Sequence, residues 1–256
     1  MGAAYVALVI VYWCGYSEVR AGGTGVVAVR AGVVSNGLAT IILFWNGILG
    51  NWNSWGGLET ITAGLVTHCR RGHFDHLDRA GWQLLARHQV PVYCSYLDET
   101  YLRRRGITTI HLRHNQRHEF LGGRIIAFET GHGYGLIGKL MGLGLGYLVE
   151  LPGEPSIYIS GDTVPTPIVR QVLTDLRPDI AILNAGSASL DIGRPILMPM
   201  TEMLEFVRLA PGEVIANHME ALNHCPVTRT RFREDVTQAG LAHKVRIPEN
   251  GEILAI

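Results

Sequence analysis

From residue 77 to its end the 256-residue chain alternates short apolar runs with stretches of helical periodicity. "LDRAGWQLLARHQ" sets Leu77, Trp82, Leu84 and Leu85 at roughly helical spacing, and "VPVYCS" follows as a short buried strand. "GGRIIAFETGHG" reads as a strand running into a glycine-rich loop, and "EPSIYISGDTV" as a strand ending in Gly161-Asp162-Thr163. A helix over "PTPIVRQVLTDLRP", a strand over "DIAILNAG", a helix over "MTEMLEFVRLAP" with Thr201 as its N-cap, and a strand over "EVIANH" come next. The chain closes with a helix in "CPVTRTRFREDVTQAGL" and a hairpin in "VRIPENGEILAI" turned at Asn250-Gly251. Strand after helix after strand is the α/β pattern. Residues 1–66 are instead rich in Gly, Val and Ile, with apolar runs at 5–13, 25–29 and 39–44 separated by glycines, which predicts strands and turns. No internal repeat or linker divides the sequence, so a single domain over 1–256 is expected.

Lysine and arginine together number 22, as do aspartate and glutamate, so no broad positive field steers nucleic acid or an anionic bilayer to the surface. Arg103 to Arg105 fit a solvated helix face. Cys14, Cys69, Cys94 and Cys225 are scattered without a CxxC pair, which argues against a disulfide framework or zinc ribbon and suits a reducing cytoplasm. The run "AAYVALVIVYWC" has no basic residue before it and is too short to span a bilayer, so it predicts a buried strand rather than a signal-peptide core. The Met-Gly start carries Val6 where N-myristoylation needs Ser or Thr. These features predict a cytoplasmic protein with no strong nucleic-acid signal and no membrane, and the apolar N-terminal third leaves a homo-oligomer open.

The polar, metal-binding side chains sit where strands end: His68, His73, Asp75, His76, His132, Asp162 and His218. Strand ends and the loops after them are where open α/β sheets build sites. Histidine and carboxylate suit zinc and neighbouring first-row metals. In "HFDH" two imidazoles and one carboxylate can point at one or two metals from a single short segment, and the remaining ligands must come from distant loops. His88, His111, His114, His118 and His243 stand apart from this pattern and read as ordinary core or surface residues. Asp162, taken alone, could equally be a helix N-cap. "GYGLIGKL", residues 133–140, matches GxxxxGK but ends in Leu140 where a phosphate loop needs a hydroxyl, so a mobile glycine-rich flap beside His132 is expected there instead of ATP binding.

The order "THxxxxHxDH", "TGHG", "SGDT" and "ANHMEALNHCPVTR" resembles the metallo-β-lactamase fold superfamily, and within it the UlaG-like metal-dependent hydrolases. The resemblance covers about residues 67–256, and "LPGEPSIYISGDT" and "HMEALNHCPVTR" are its most specific phrases. It implies a four-layer αββα sandwich with a dinuclear site at one edge. His68, His73 and His132 would then hold one metal, Asp75, His76 and His218 the second, and Asp162 would bridge both. The cofactor implied is Zn2+, two per chain if the first site is intact, with Mn2+ or Fe2+ also accepted by such ligands.

Two departures from the family pattern matter. The first motif of the family is His-x-His-x-Asp-His, and this chain has Arg71 where the first of those histidines would fall. His68 matches the start of the motif, with Cys69, Arg70 and Arg71 inserted behind it. Either the loop bulges so that His68 still reaches the metal, or the first site has lost a ligand. Family members also carry a strand ending in Asp-Pro near the N-terminus, where this chain has Trp45-Asn46, which removes an expected support for the first-motif histidines.

The activity implied is hydrolysis of a small ester, lactone or phosphoester by a metal-activated water. Asp75 would orient that water as well as ligate. His224 and Glu220 lie six and two residues after His218, and either could orient a ligand or protonate a leaving group; alternatively that phrase only caps the next helix and packs. Two other functions stay open. One is a non-catalytic or single-metal binding protein with a degenerate first site. The other is a metal-dependent nuclease, although residues 163–217 leave no room for the large inserted domain such enzymes often carry between Asp162 and His218.

Overall fold

The computed structural model describes residues 6–11, 41–46, 61–69, 77, 79–189, 195–220, 225–249 and 254. They build two sheets in two units, the first centred on Leu38–Leu112 and the second on Arg113–Pro248.

The first unit holds a five-stranded sheet in the order β1 (Val6–Val11), β2 (Ile41–Asn46), β3 (Ile61–Val66), β4 (Val92–Cys94) and β5 (Thr109–His111). The first three strands pair antiparallel, and β3, β4 and β5 run parallel. Helix α1 (Arg79–Arg87) makes the crossover that a parallel β3–β4 pair requires. Its apolar stripe buries Leu85, with Trp82 and Ala86 at the margin, against Val66, Val92 and Cys94. Helix α2 (Tyr96–Arg103) opens on Ser95, whose hydroxyl accepts from the Leu97 amide at 3.2 Å. Its C-terminal end and the residues just after it form a solvated basic face: Arg103 pairs with Glu99 at 2.7 Å, and the Arg105 guanidinium lies 3.5 Å above the Tyr101 ring. The strand expected at 25–29 falls outside the described residues.

The second unit holds a seven-stranded sheet in the order β12 (Val245–Arg246), β11 (Glu213–Asn217), β10 (Ile180–Asn184), β9 (Ile157–Ile159), β8 (Leu143–Glu150), β7 (Gly123–Gly131) and β6 (Arg117–Phe120). Strands β6 to β9 pair antiparallel and β9 to β12 parallel. Every residue of β10 is buried, as a central parallel strand covered on both faces must be. One sheet face packs on helices α4 (Pro167–Gln171, continued by a π turn over Val172–Leu176), α5 (Met200–Leu209) and α6 (Arg229–Gln238). Leu173, Phe206 and Phe232 from those helices meet Phe128, Tyr158 and Leu183 from the strands. Because side chains alternate along a strand, Ala181 and Leu183 face this core and Asn184 faces the other way.

Two local expectations change. Helix α5 begins directly after Pro199, which sits in the N-cap position, so Thr201 lies inside the helix and does not cap it. The ring of Pro199 holds φ at −68°, and its extended ψ lets the helix start at once. The expected flap at 133–140 is a helix, α3 (Gly135–Met141). Gly138 is what seats it, since a Cβ there would lie 2.5 Å from the Gly133 carbonyl oxygen. At the C-terminus β12 pairs with β11 in parallel, and the hairpin turn expected at Asn250-Gly251 lies outside the described residues.

Lys244 caps the end of α5: its ammonium donates to the carbonyls of Val207, at 2.9 Å, and Ala210. Lys244→Met keeps the apolar stem and removes the donors, so it is expected to cost about 1 kcal/mol in urea unfolding with an unchanged m-value. Among the described residues no helix is long and apolar enough to cross a membrane, and Cys69, Cys94 and Cys225 are buried thiols outside any disulfide.

Candidate metal centre

Strand directions decide which residues meet. In the second unit β7 and β9 are both antiparallel to β8, and β10 and β11 are parallel to β9, so all four strands end at the same end of the sheet. His132 follows β7, Asp162 lies just past β9, Asn184 is the last residue of β10, and His218 follows β11. His132, Asp162 and His218 are 4, 5 and 2 % exposed. The Asp162 carboxylate lies between the two rings, with Oδ2 3.4 Å from His132 Nε2 and Oδ1 3.7 Å from His218 Nε2. His218 Nε2 is buried and makes no hydrogen bond.

These separations suit a metal better than a hydrogen bond. Two donors each about 2.1 Å from a tetrahedral ion sit about 3.4 Å apart, which is the spacing here, whereas a nitrogen-to-oxygen hydrogen bond is about 2.9 Å. Buried imidazole and carboxylate are also the donor types that zinc, manganese and iron accept. His132, Asp162 and His218 therefore fit a divalent ion.

Backbone features hold the donors in place. His218 has φ +54°, a left-handed conformation that a non-glycine residue adopts at a cost of about 1–3 kcal/mol and that recurs at functional sites. The Ala185 amide donates to the Asn217 carbonyl at 2.8 Å, and the chain after β10 presses so closely on His218 that a Cβ at position 186 would run into the His218 carbonyl oxygen; hence Gly186. On its other nitrogen, Nδ1, His218 meets the buried Cys225 sulfur at 3.7 Å. Asp162 does not serve as a helix cap, because Thr166 caps α4, accepting from the Val169 amide at 3.3 Å. Asn184 donates from Nδ2 to Asp162 Oδ1.

In the first unit His68 stands two residues beyond β3, 4 % exposed, with Nδ1 3.1 Å from the Thr67 hydroxyl. Cys69, first of the three extra residues, is fully buried in the core beneath α1, and its amide donates to Asp98 Oδ1 at 3.3 Å. Burial, reinforced by Asp98, pushes the Cys69 thiol well above its ordinary pKa, so it is a packing residue and not a reactive thiol. Arg70 and Arg71, together with His73, Asp75, His76 and His224, lie outside the described residues.

No protein-family model matches the chain. Over 198 residues it is 27 % identical to the UPF0173 protein YddR of Bacillus subtilis, covering 76 % of each. Among solved structures it is similar to one from Veillonella parvula, described as a possible metal-dependent hydrolase, with 27 % identity, a TM-score of 0.68 and 76 % of each chain covered. An isothiocyanate hydrolase from Delia radicum gut bacteria matches at 25 % identity and a TM-score of 0.72 over 88 % of this chain and 98 % of that one. YhfI of Bacillus subtilis, a metallo-β-lactamase fold protein, matches 96 % of each chain at a TM-score of 0.62 and 14 % identity, a likeness of fold. The chain has the metallo-β-lactamase fold.

In this chain Glu220, two residues after His218, is clamped. Glu220 Oε2 accepts from the Arg229 amide at 2.9 Å and Oε1 from Arg229 Nη1 at 2.8 Å, while Arg229 Nε donates to the Pro248 carbonyl at 2.8 Å. Burial pushes the Glu220 pKa up, but the bonds from Arg229 outweigh it and hold the carboxyl below its usual range. Glu220 is thus ionised at neutral pH and occupied by Arg229, and it sits at the start of α6, where the helix dipole favours a negative charge. Arg229 and Asn184 carry no signal in the sequence beyond one clue: Asn184 ends an apolar run just where other runs end in His or Asp.

Replacing Arg229 with Gln is expected to destabilise the metal-free protein by about 2 kcal/mol, the Glu220 side chain being partly solvated. The pH dependence has a definite sign. A depressed carboxyl pKa adds stability above its unfolded value, about 4.3, and that part is lost as pH falls through the folded value. Thermal melts of the two proteins should therefore draw closer as pH drops below about 4. A residual gap belongs to the Arg229–Pro248 bond, which does not titrate. An unchanged gap down to pH 3 removes Glu220 from the account.

Proposed function

We propose that this protein is a UlaG-like, metal-dependent hydrolase that directs an activated water at a small ester, lactone or phosphoester. The observation that carries the reading is the convergence of His132, Asp162 and His218, buried and at coordination spacing, at one end of the sheet. His68, His73 and His132 are the proposed ligands of one ion, Asp75, His76 and His218 of a second, with Asp162 shared. Zn2+ is the first choice and Mn2+ or Fe2+ the alternatives. Bound metal supplies the positive charge that makes water nucleophilic near neutral pH and polarises the bond under attack.

The chain's own residues have separate parts in this proposal. The buried walls around Asp162 exclude bulk water, which strengthens every charge interaction inside. A ligating His68 Nε2 leaves its Nδ1–H to donate to the Thr67 hydroxyl, and a ligating His218 Nε2 leaves its Nδ1–H facing the Cys225 sulfur. Asp75 orients the attacking water. His224 is the proposed proton donor to the leaving group, and Glu220 is held by Arg229. A small-molecule substrate in a cytoplasmic setting completes the reading. The altered first motif, with Arg71 where a histidine is expected, favours a second reading in which only one ion binds and the protein serves as a single-metal binder.

A substrate panel tests the proposal. Metal-free protein is reconstituted with Zn2+, Mn2+ or Fe2+ and assayed on lactones, esters, phosphodiesters and an isothiocyanate, whose central carbon is an electrophile of the same kind as a carbonyl carbon. Turnover that needs added metal and is lost in Asp162→Asn supports the hydrolase. Two ions bound with no turnover anywhere on the panel favours the binding role, and equal turnover in Asp162→Asn sinks the site assignment.

A further inference from the structure

We propose that Asn184 is the positioning residue for the Asp162 carboxylate and thereby sets how tightly the centre holds metal. The inference rests on the metal-centre reading above and deepens it. Asn184 and Asp162 are both 5 % exposed, and Asn184 Nδ2 donates to Asp162 Oδ1, the oxygen that faces His218; the other oxygen, Oδ2, faces His132. A carboxylate rotates about its last side-chain bond with little resistance, because such terminal torsions are broad. One hydrogen bond to one oxygen removes that freedom. With Oδ1 tethered, the plane of the group is set and each oxygen is aimed at its own histidine.

Asn184 can do this because of where β10 puts it. It is the last residue of a fully buried parallel strand that lies between β9, which leads to Asp162, and β11, which leads to His218. It points away from the helix-covered core, on the face opposite Leu183. Its backbone is pinned by the sheet, and the next residue is tied to β11 through the Ala185–Asn217 bond. The amide is neutral, so it orients the carboxylate without neutralising the charge that attracts metal. A lysine or arginine at this position would bring a cation that competes with the ion. Outer-shell partners of metal ligands typically matter by 10–100-fold in affinity, which is the effect expected here.

The test measures metal binding and not turnover. Asn184→Leu, close in volume and lacking the donor, and Asn184→Ala, smaller and free of any clash, are compared with the wild-type chain by chelator competition for Zn2+ and by thermal melting of the metal-free proteins. The expected result is an apparent Zn2+ affinity weaker by about 10–100-fold in both variants. Metal-free melting of the folded variant should stay near that of the wild type, and the visible absorption of its Co2+ form should shift as the carboxylate reorients. A purely structural role would lower the metal-free melting temperature and leave the affinity of the folded fraction alone. Zn2+ affinity within about threefold of wild type in either folded variant overturns the proposal, and should the Asn184→Leu protein fail to fold, the alanine variant decides. A wild-type chain that takes up no Zn2+ overturns both the metal centre and this inference. Tight Zn2+ binding without hydrolysis of any substrate removes only the hydrolase reading and leaves the role of Asn184 intact.

Discussion

Asp162→Ala is expected to abolish tight metal binding and to reduce any metal-dependent hydrolysis by about a thousandfold or more, since the charge supplied by the centre is worth several kcal/mol of barrier. The expectation follows from geometry. Asp162 presents one oxygen to His132 and the other to His218, and it is the carboxylate that joins the two histidines. Without it only the two imidazoles remain, and an ion held by them lacks the negative charge that draws it from water. His132→Ala or His218→Ala alone should be milder, because Asp162 and the opposite histidine persist. Elemental analysis of protein purified without chelator, beside an assay on the best substrate of the panel, checks both halves. Metal content in Asp162→Ala equal to that of the wild type would show that this carboxylate is not a ligand.

Wild-type protein is expected to hold close to two ions per chain, and His68→Ala close to one. His68 carries the first position of the motif, but three residues separate it from Gly72 and the "HFDH" segment. Cys69 is packed into the core and bonded through its amide to Asp98, so the chain just after His68 is anchored and its ring orientation is defined. A histidine that is 4 % exposed and braced at Nδ1 by a neighbouring hydroxyl is dressed as metal-ligating histidines usually are. Zn2+ stoichiometry is the direct measurement. Two ions in both proteins would take His68 out of the ligand set. One ion in both would mean that the inserted residues have removed the first site, leaving Asp162 and His218 with a single ion and the chain with a binding role.

The two outcomes also differ in stability. Metal that binds the folded chain and not the unfolded one raises the melting temperature through mass action, by about 2.7 kcal/mol at a hundredfold excess over the dissociation constant. Adding Zn2+ should raise the melting temperature of the wild type more than that of His68→Ala, and that of Asp162→Ala least.

Much of this protein was legible one element at a time. Helix α1 follows from the spacing of Leu77, Trp82 and Leu85, and β10 from an unbroken apolar run, because period and length are properties of a few neighbouring residues. His132, Asp162 and His218 could each be seen to end a strand for the same reason, and the family resemblance added their roles. Where local signals competed, neighbours decided. Pro199 displaced Thr201 as the start of α5, and Gly138, by fitting against Gly133, turned an expected flap into α3. Glu220 reads in sequence as a candidate acid, and only Arg229, nine residues on, makes it an ionised clamp. Tertiary structure alone decided that β7, β9, β10 and β11 end together, since strand order and direction depend on pairing between residues far apart in the chain. It also decided that the amide of Asn184 faces a carboxylate. Periodicity is written in the chain because each turn or pleat is made by adjacent residues; the meeting of Asn184 with Asp162 is not, because neither residue carries any local trace of the other.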